Sequence, residues 1–372
     1  MPLRVLSVFG TRPEAVKMAP VVHELKQTEG IEASVCVTAQ HREMLDQVLD
    51  LFQIRPDVDL DLMRADQSLA DLSAAIFKDL DPVLANFKPD WVLVQGDTTT
   101  VAITSLLAYY RRIKVGHVEA GLRTHDKWQP FPEEINRRVA GVAADLHFAP
   151  TQWARHNLLR EGIPDRAIAV TGNPVIDALQ VVAEQTPPAE IKKLLSSLGI
   201  GESKRLILVT AHRRENFGVP LESICAALSG LASRGDVEIV YPLHLNPNVQ
   251  EPVRRLLGGV PHVTLLPPQD YLPMIHLIRR STLVLTDSGG IQEEAPAFAI
   301  PVLVLRQVTE RPEGVKAGVL KLVGTDSARI VNEANRLLEN PRAYARMARA
   351  VNPFGDGHAA ARIVQSLLAF CR

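Results

Sequence analysis

Short runs rich in Val, Ile and Leu recur along this chain, and each gives way to a stretch of helical length. In the first half the runs are LRVLSVFG, ASVCVTA, WVLVQG, KVGHVEA, DLHFAP and AIAVTG. They are too short for buried helices and lack the strict alternation of a half-exposed strand. Near-continuous apolar strands are covered on both faces, which is the condition of a parallel sheet. The stretches between them, 13–28, 41–52, 69–87, 98–110 and 133–143, supply the helices. This alternation predicts the α/β class with a doubly wound parallel sheet.

After a polar, proline-bearing stretch at 183–190 the alternation restarts with RLILVTA, VEIVYPL, HVTLLPP, TLVLTDS and IPVLVLR. A chain of 372 residues suits about two domains of roughly 150 residues each. We expect an N-terminal Rossmann-like domain over 1–172 and a C-terminal one over 173–356. A last helix in 357–372, after the break NPFGDG, should return to the first. Two such domains facing across a cleft would line it with the loops that follow their strands, where open α/β sheets bind ligands.

Charge and cysteine usage narrow the partners. The 41 basic and 42 acidic residues leave a net charge of -1, so no broad field draws in nucleic acid or a membrane surface. Cys36, Cys225 and Cys371 form no CxxC or Cys/His metal pattern. So sparse a set suits reduced thiols in the cytoplasm. Asp97 interrupts the longest apolar region, and no uncharged run is long enough to span a bilayer. A soluble cytoplasmic protein with no nucleic-acid or membrane partner and no metal is expected.

The chemistry-bearing residues cluster where strands end. The first junction turns on Gly10 and enters a helix at Pro13. It is not GxGxxG, so the dinucleotide fingerprint is absent. Arg12 and Lys17 lie by that helix start, either to hold phosphate or as solvated cations on a capped turn. Asp97 follows WVLVQ-Gly96, where it either caps the next helix or acts as an acid/base group at a buried strand tip. Glu119 ends the next strand near His117, as an acid/base carboxylate or as the ion-pair partner of Arg123. Glu133 is a third candidate acid or a helix-start residue favoured by the dipole. Glu133 and Arg137 are one turn apart and share a face.

In the second half His212, Arg213 and Arg214 follow a strand and suit either a dianionic leaving group or a surface ion-pair patch. Ser288, Gly289 and Gly290 open a helix directly after TLVLT, so their N–H groups can approach phosphate closely. Glu294, one turn in, can accept hydrogen bonds from ribose hydroxyls. Arg306 and Arg311 add cations after IPVLVL.

The segments FGTRPEAVKMAP, TAQHREMLDQV, GDTTT, GHVEAGLRT, PEEINR, TGNPVIDA, HRREN, YPLHLNPNV, LTDSGGIQEEAP, TERPE and NPFGDG occur in this order across both halves. Together they resemble the non-hydrolysing UDP-N-acetylglucosamine 2-epimerases. The resemblance implies a glycosyltransferase-B-like pair of domains, a homodimer, and reversible inversion of C2 between UDP-GlcNAc and UDP-ManNAc without a cofactor. It also implies elimination of UDP to a bound 2-acetamidoglucal followed by re-addition, with the product serving cell-surface polysaccharide. By motif position Asp97, Glu119 and Glu133 resemble the essential acids, and His212 the residue supporting the leaving diphosphate. Arg12, Lys17 and Arg137 match sugar and phosphate contacts. Ser288, Gly289, Gly290 and Glu294 match the UDP cradle, Gln269 and Met274 positions near uracil, and Arg311 a nucleotide-side cation. Gln40, Arg213 and His244 match positions through which some bacterial relatives are activated by UDP-GlcNAc. A hydrolysing epimerase that releases UDP and ManNAc, a retaining glycosyltransferase of the same fold and a silent sugar-nucleotide sensor are the rival readings. Several acids in one set argue against the last.

Overall fold

Strands form at the apolar runs, in two separate parallel sheets. The computed structural model describes residues 2–39, 42–64, 67–200 and 204–370. Gln40, His41 and Cys371 lie outside the described residues. The first sheet comprises β1 (Leu3–Phe9), β2 (Ile31–Val37), β3 (Val58–Asp59), β4 (Trp91–Gln95), β5 (Lys114–Val118), β6 (Leu146–Ala149) and β7 (Ile168–Val170). Its order is β3-β2-β1-β4-β5-β6-β7. The second comprises β8 (Arg205–Thr210), β9 (Val237–Pro242), β10 (Val263–Leu266), β11 (Leu283–Thr286), β12 (Val302–Val304) and β13 (Leu320–Leu322), in the order β10-β9-β8-β11-β12-β13. Trp91, Val92, Leu93 and Val94 are each no more than 1% exposed, as a central strand between helical layers requires.

The chain divides into two compact units, Met1–Ala178 with Phe354–Arg372, and Leu179–Pro353. Each has its own core. Leu6, Val8, Ile76, Leu80, Val92 and Val94 belong to that of the first, and Ile207, Val209, Leu228, Ile239, Leu285 and Leu303 to that of the second. Helix Ala359–Phe370 packs on helix Arg12–Gln27. Asp177 receives its first N–H groups, from Ala359 at 3.2 Å and Ala360 at 2.9 Å. Phe370 meets Trp91 edge-on, with ring centroids 5.6 Å apart. Among the described residues no helix is long and apolar enough to cross a membrane.

The strand orders place the ligand-binding ends. Successive strands step outward from β1 in one direction and from β4 in the other. β1 and β4 are neighbours, so the connections leaving them go to opposite faces and open a crevice at their carboxyl ends. β8 and β11 form the equivalent switch point in the second unit. The segments that leave these four strands carry Arg12, Asp97, His212 and Ser288.

Two details differ from the sequence-based expectation. β3 and β13, of two and three residues, were not among the expected strands. Both lie at sheet edges, where a single neighbour suffices to define them. The helices expected from 13 and 98 run Arg12–Gln27 and Thr99–Tyr110, each starting directly after a capping threonine, Thr11 or Thr98.

Candidate active site

β4 and β5 end side by side, with Gln95 opposite Val118 in register. The next residue, Glu119, takes a left-handed backbone with φ 64°, which lifts its carboxylate out of the alternation of the strand. Lys17, Gln95 and Asn173 hold that carboxylate in place. Lys17 donates to both oxygens at 2.7 Å, Gln95 Nε2 donates to Oε2, and Asn173 Nδ2 donates to Oε1 at 3.2 Å. His117 stands two residues before it on β5 and donates from Nε2 to Gly96 O at 2.7 Å. The carbonyl can only accept, so Nε2 carries the proton. The Lys17 and Glu119 side chains are 17% and 4% exposed, so this is a pair in which each charge needs the other. Arg123, the rival partner for Glu119, instead forms a bidentate pair with Glu161 at 2.8 and 2.7 Å.

Asp97 follows Gly96 after β4. Thr98 caps the next helix, accepting from Val101 N at 3.4 Å. The Asp97 carboxylate meets Arg137 Nη2 instead. Arg137 Nη1 also donates to Glu134 Oε2 at 3.2 Å. Glu134 is fully buried and accepts from Thr124 N at 3.1 Å, His125 N at 3.2 Å and Arg138 Nη2 at 3.2 Å. The helix-borne acid paired with Arg137 is therefore Glu134, not Glu133. Glu133 Oε2 is buried and accepts no hydrogen bond, a state that a bound ligand can relieve. Glu14 ties the turns after β1 and β4 together, accepting from Gly10 N at 2.8 Å, Thr11 N at 2.7 Å and Thr98 Oγ1 at 2.5 Å. Arg12, beside it, is half-buried and makes no ion pair among the described residues.

In the second unit Asp287 organises the loop after β8. Its Oδ2 accepts from His212 N at 2.8 Å, Arg213 N at 2.9 Å and Asn216 Nδ2 at 2.9 Å. Its Oδ1 lies 3.7 Å from His212 Nδ1, beyond hydrogen-bond distance. Burial lowers the pKa of His212 and outweighs the opposing effect of Asp287, with His244 and Arg213 adding to the depression. The His212 ring stacks on that of His244, centroids 5.2 Å apart.

Helix Gly289–Ala297 begins without a side-chain cap from Ser288, so its first N–H groups are available to an anion. A Cβ on Gly289 would stand 2.8 Å from Arg311 Nη1, which puts a guanidinium over that helix start. Arg311 is anchored there by Glu293 Oε1 at 2.7 Å, and Glu294 is buried one residue on. Burial alone would raise the pKa of Glu310, but Arg311 and Arg306 overcome it and hold the carboxyl at about 2. Gln269 Nε2 donates to Pro267 O at 2.9 Å, and Met274 is half-buried in the first turn of helix Tyr271–Arg280.

The sequence matches the family described as UDP-N-acetylglucosamine 2-epimerase over residues 23–368. The chain belongs to this family. It is 56% identical over 374 residues to the UDP-N-acetylglucosamine 2-epimerase of Salmonella typhimurium, with 99% of each chain covered. A crystal structure of the 2-epimerase from Neisseria meningitidis bound to UDP-GlcNAc is similar at a TM-score of 0.90 and 49% identity, covering 99% of this chain and 100% of that one. The Methanocaldococcus jannaschii 2-epimerase in complex with UDP-GlcNAc and UDP is similar at a TM-score of 0.81 and 31% identity, covering 99% and 100%.

For this 2-epimerase family member the structure brings Lys17, Asp97, Glu119 and Arg137 to one switch point. It brings His212, Arg213 and His244 together at the other, where the segment after β11 carries Ser288, Gly289, Gly290 and Glu294 with Arg311 over the helix start. Gln40 lies outside the described residues. Three organising residues escape a reading of the motifs: Glu134, Asn173 and Asp287. Asp287 had a usable signal, since it closes a buried strand as Asp97 nearly does. Among the described residues no three His, Cys, Asp or Glu side chains are grouped to hold a metal ion.

Two buried imidazoles near this site set an expected response to acid. Burial pushes His117 down to about 3 and His147 down to about 4. Both stay neutral in the fold while the unfolded chain takes up protons near 6.5. Their native pKa values lie below the unfolded value, so their effect is absent above about pH 6.5 and destabilising below it. Each should remove up to about 2 kcal/mol between pH 6.5 and 5. Glu14, pushed up by burial, opposes this in part. Urea melts at pH 7.5 and 5 should show the loss, and His147→Gln should shrink it. An equal loss in that variant would show that His147 does not titrate in this way.

Proposed function

We propose that this protein inverts C2 of a UDP-N-acetylhexosamine, interconverting UDP-GlcNAc and UDP-ManNAc without releasing free sugar. The observation carrying this reading is a pair of carboxylates, Glu119 and Asp97, each held by its own cation at the β1/β4 switch point of a 2-epimerase family member. Relatives crystallised with UDP-GlcNAc or UDP support the substrate class.

The C2 hydrogen is not next to a carbonyl, so direct deprotonation would leave an unstabilised carbanion. Elimination avoids it. A carboxylate takes the C2 proton, the C2–H electron pair becomes the C1=C2 double bond, and the C1–O bond breaks with its pair going to UDP. The bound 2-acetamidoglucal then receives a proton at C2 from the opposite face while a UDP oxygen adds to C1. Asp97, Glu119 and Glu133 supply the base and the acid, and the unsatisfied Glu133 Oε2 is a ready acceptor. Lys17, Arg12 and Arg137 contact the sugar and phosphates, and His212 supports the departing diphosphate.

Ser288, Gly289 and Gly290 cradle UDP phosphate, the glycines with backbone N–H groups, and Glu294 receives the ribose hydroxyls. Gln269 and Met274 border the uracil, and Arg311 adds a cation. Gln40, Arg213 and His244 form the second, regulatory UDP-GlcNAc contact. The protein works as a cytoplasmic homodimer supplying ManNAc-type precursors for cell-surface polysaccharide.

Proton NMR of the purified protein with UDP-GlcNAc in D2O tests the reaction. UDP-ManNAc with deuterium at C2 is expected. Free ManNAc plus UDP would assign the hydrolysing reaction instead, and an unchanged spectrum would remove the epimerase reading.

A further inference from the structure

Asn173 joins three parts of the first unit. Its backbone N–H donates to Phe354 O at 2.7 Å, on the segment that returns to this unit near the end of the chain. Its Oδ1 accepts from Val175 N at 3.1 Å, the side-chain bond of an N-cap for helix Pro174–Glu184. Its Nδ2 donates to Glu119 Oε1 at 3.2 Å, from 54 positions away in sequence. The residue is 1% exposed. Capping needs only an oxygen, and Asp or Ser caps about as well as Asn. An amide alone offers that oxygen and a donor for a carboxylate together.

We propose that Asn173 is a positioning residue for Glu119: capped onto its helix by Oδ1, it uses Nδ2 to fix the rotation of the carboxylate with both oxygens toward Lys17. The inference rests on the reading of Glu119 as an acid/base group. The charged and titratable groups on the surrounding elements are Lys17 on helix Arg12–Gln27, His117 on β5, and Asp97 with its partner Arg137. On the Asn173 side they are Asp177 and His358, and Arg362, which donates to Thr171 O and pairs with Asp356. Among these Lys17 touches the Glu119 carboxylate.

Asn173→Asp separates the two roles. The cap oxygen survives, while the donor becomes a second carboxylate against Glu119. Like charges that close raise the apparent pKa of the pair. The ionised form of Glu119 is then lost at higher pH, and the acid limb of kcat should move up by about one unit or more. We expect kcat at neutral pH to fall about tenfold or more, with KM within about twofold and a lower thermal midpoint, since a second buried carboxylate costs stability. Asn173→Ser, a cap too short to reach Glu119, should lower kcat and move the limb up less than the Asp variant does, since it removes a donor without adding a charge.

A wild-type kcat in Asn173→Asp, or a lost kcat with the acid limb unmoved, overturns the proposal. If the Asp variant does not fold, the Ser variant decides: a lower kcat at unchanged KM supports the proposal, and a wild-type kcat overturns it. Glu119→Gln run alongside keeps the two readings apart. Near-normal turnover in Glu119→Gln removes the acid/base reading itself. An inactive Glu119→Gln beside a wild-type-like Asn173→Asp removes only the positioning role.

Discussion

Asp97→Asn will lower turnover of UDP-GlcNAc by at least about a hundredfold, the low end of what a positioned acid or base contributes, while the protein folds normally. The substitution keeps the shape of the side chain and removes its charge. Arg137 is not stranded, because Glu134 remains bonded to it at 3.2 Å. Glu119→Gln should be as slow but should also unfold more easily. There the lost charge leaves Lys17, 17% exposed, facing a neutral amide. Breaking a buried pair on one side costs about 3 kcal/mol or more, and the partial exposure of Lys17 brings the expected loss to the low end of that range. Steady-state rates and thermal melts of both variants test the contrast. Near-normal turnover in both would remove the two carboxylates from the mechanism, and equal stability would mean that Lys17 does not depend on Glu119.

Gly121→Ala should be the most disruptive small change near the site. Gly121 has φ 90°, and a Cβ there would stand 2.3 Å from Ala154 O and 2.8 Å from Ala154 C. The obstacle is the backbone of helix Gln152–Arg160, which cannot rotate away as a side chain can. A left-handed backbone costs a non-glycine residue about 1–2 kcal/mol, and overpacking adds roughly 1–3 kcal/mol. A loss of about 3 kcal/mol in total lowers the melting point by roughly 6–12 °C for a unit of this size. Gly162→Ala is the matched control: its φ is 86°, yet nothing lies within 4 Å of its Cβ. It should lose only the backbone part, about 1–2 kcal/mol. Equal losses in the two variants would mean that the Ala154 carbonyl yields.

The α/β class and the two parallel sheets were legible because strands covered on both faces leave uninterrupted apolar runs. WVLVQ is the clearest of them, with four of its residues fully buried. β3 and β13 were not legible. A two- or three-residue edge strand is defined by its neighbour, as Cys36 opposite Val58 and Val37 opposite Asp59 define β3, and leaves little pattern of its own.

In the site, position at a strand end identified Asp97 and Glu119, but not their partners. Lys17 and Glu119 meet across 102 positions, and no local spacing encodes that. Helical spacing allowed Arg137 to pair with either Glu133 or Glu134. The backbone N–H groups of Thr124 and His125, which need an acceptor, hold Glu134 where it also reaches Arg137. Asn173 was hidden for a related reason, since an Asn-Pro pair before a helix already reads as a complete capping signal.

Helix Ala359–Phe370 belongs to the first unit, although all of Leu179–Pro353 is made before it. At about 5–20 residues per second, on the order of ten to thirty seconds separate the two parts as the chain leaves the ribosome. Throughout that interval helix Arg12–Gln27 lacks the helix that packs on it, and Trp91 lacks Phe370. The second unit has all its residues at the exit tunnel before the first can be completed, reversing their order in the gene. A premature stop codon that removes only this last helix is therefore a lesion of the first unit, the one that holds Glu119 and Asp97.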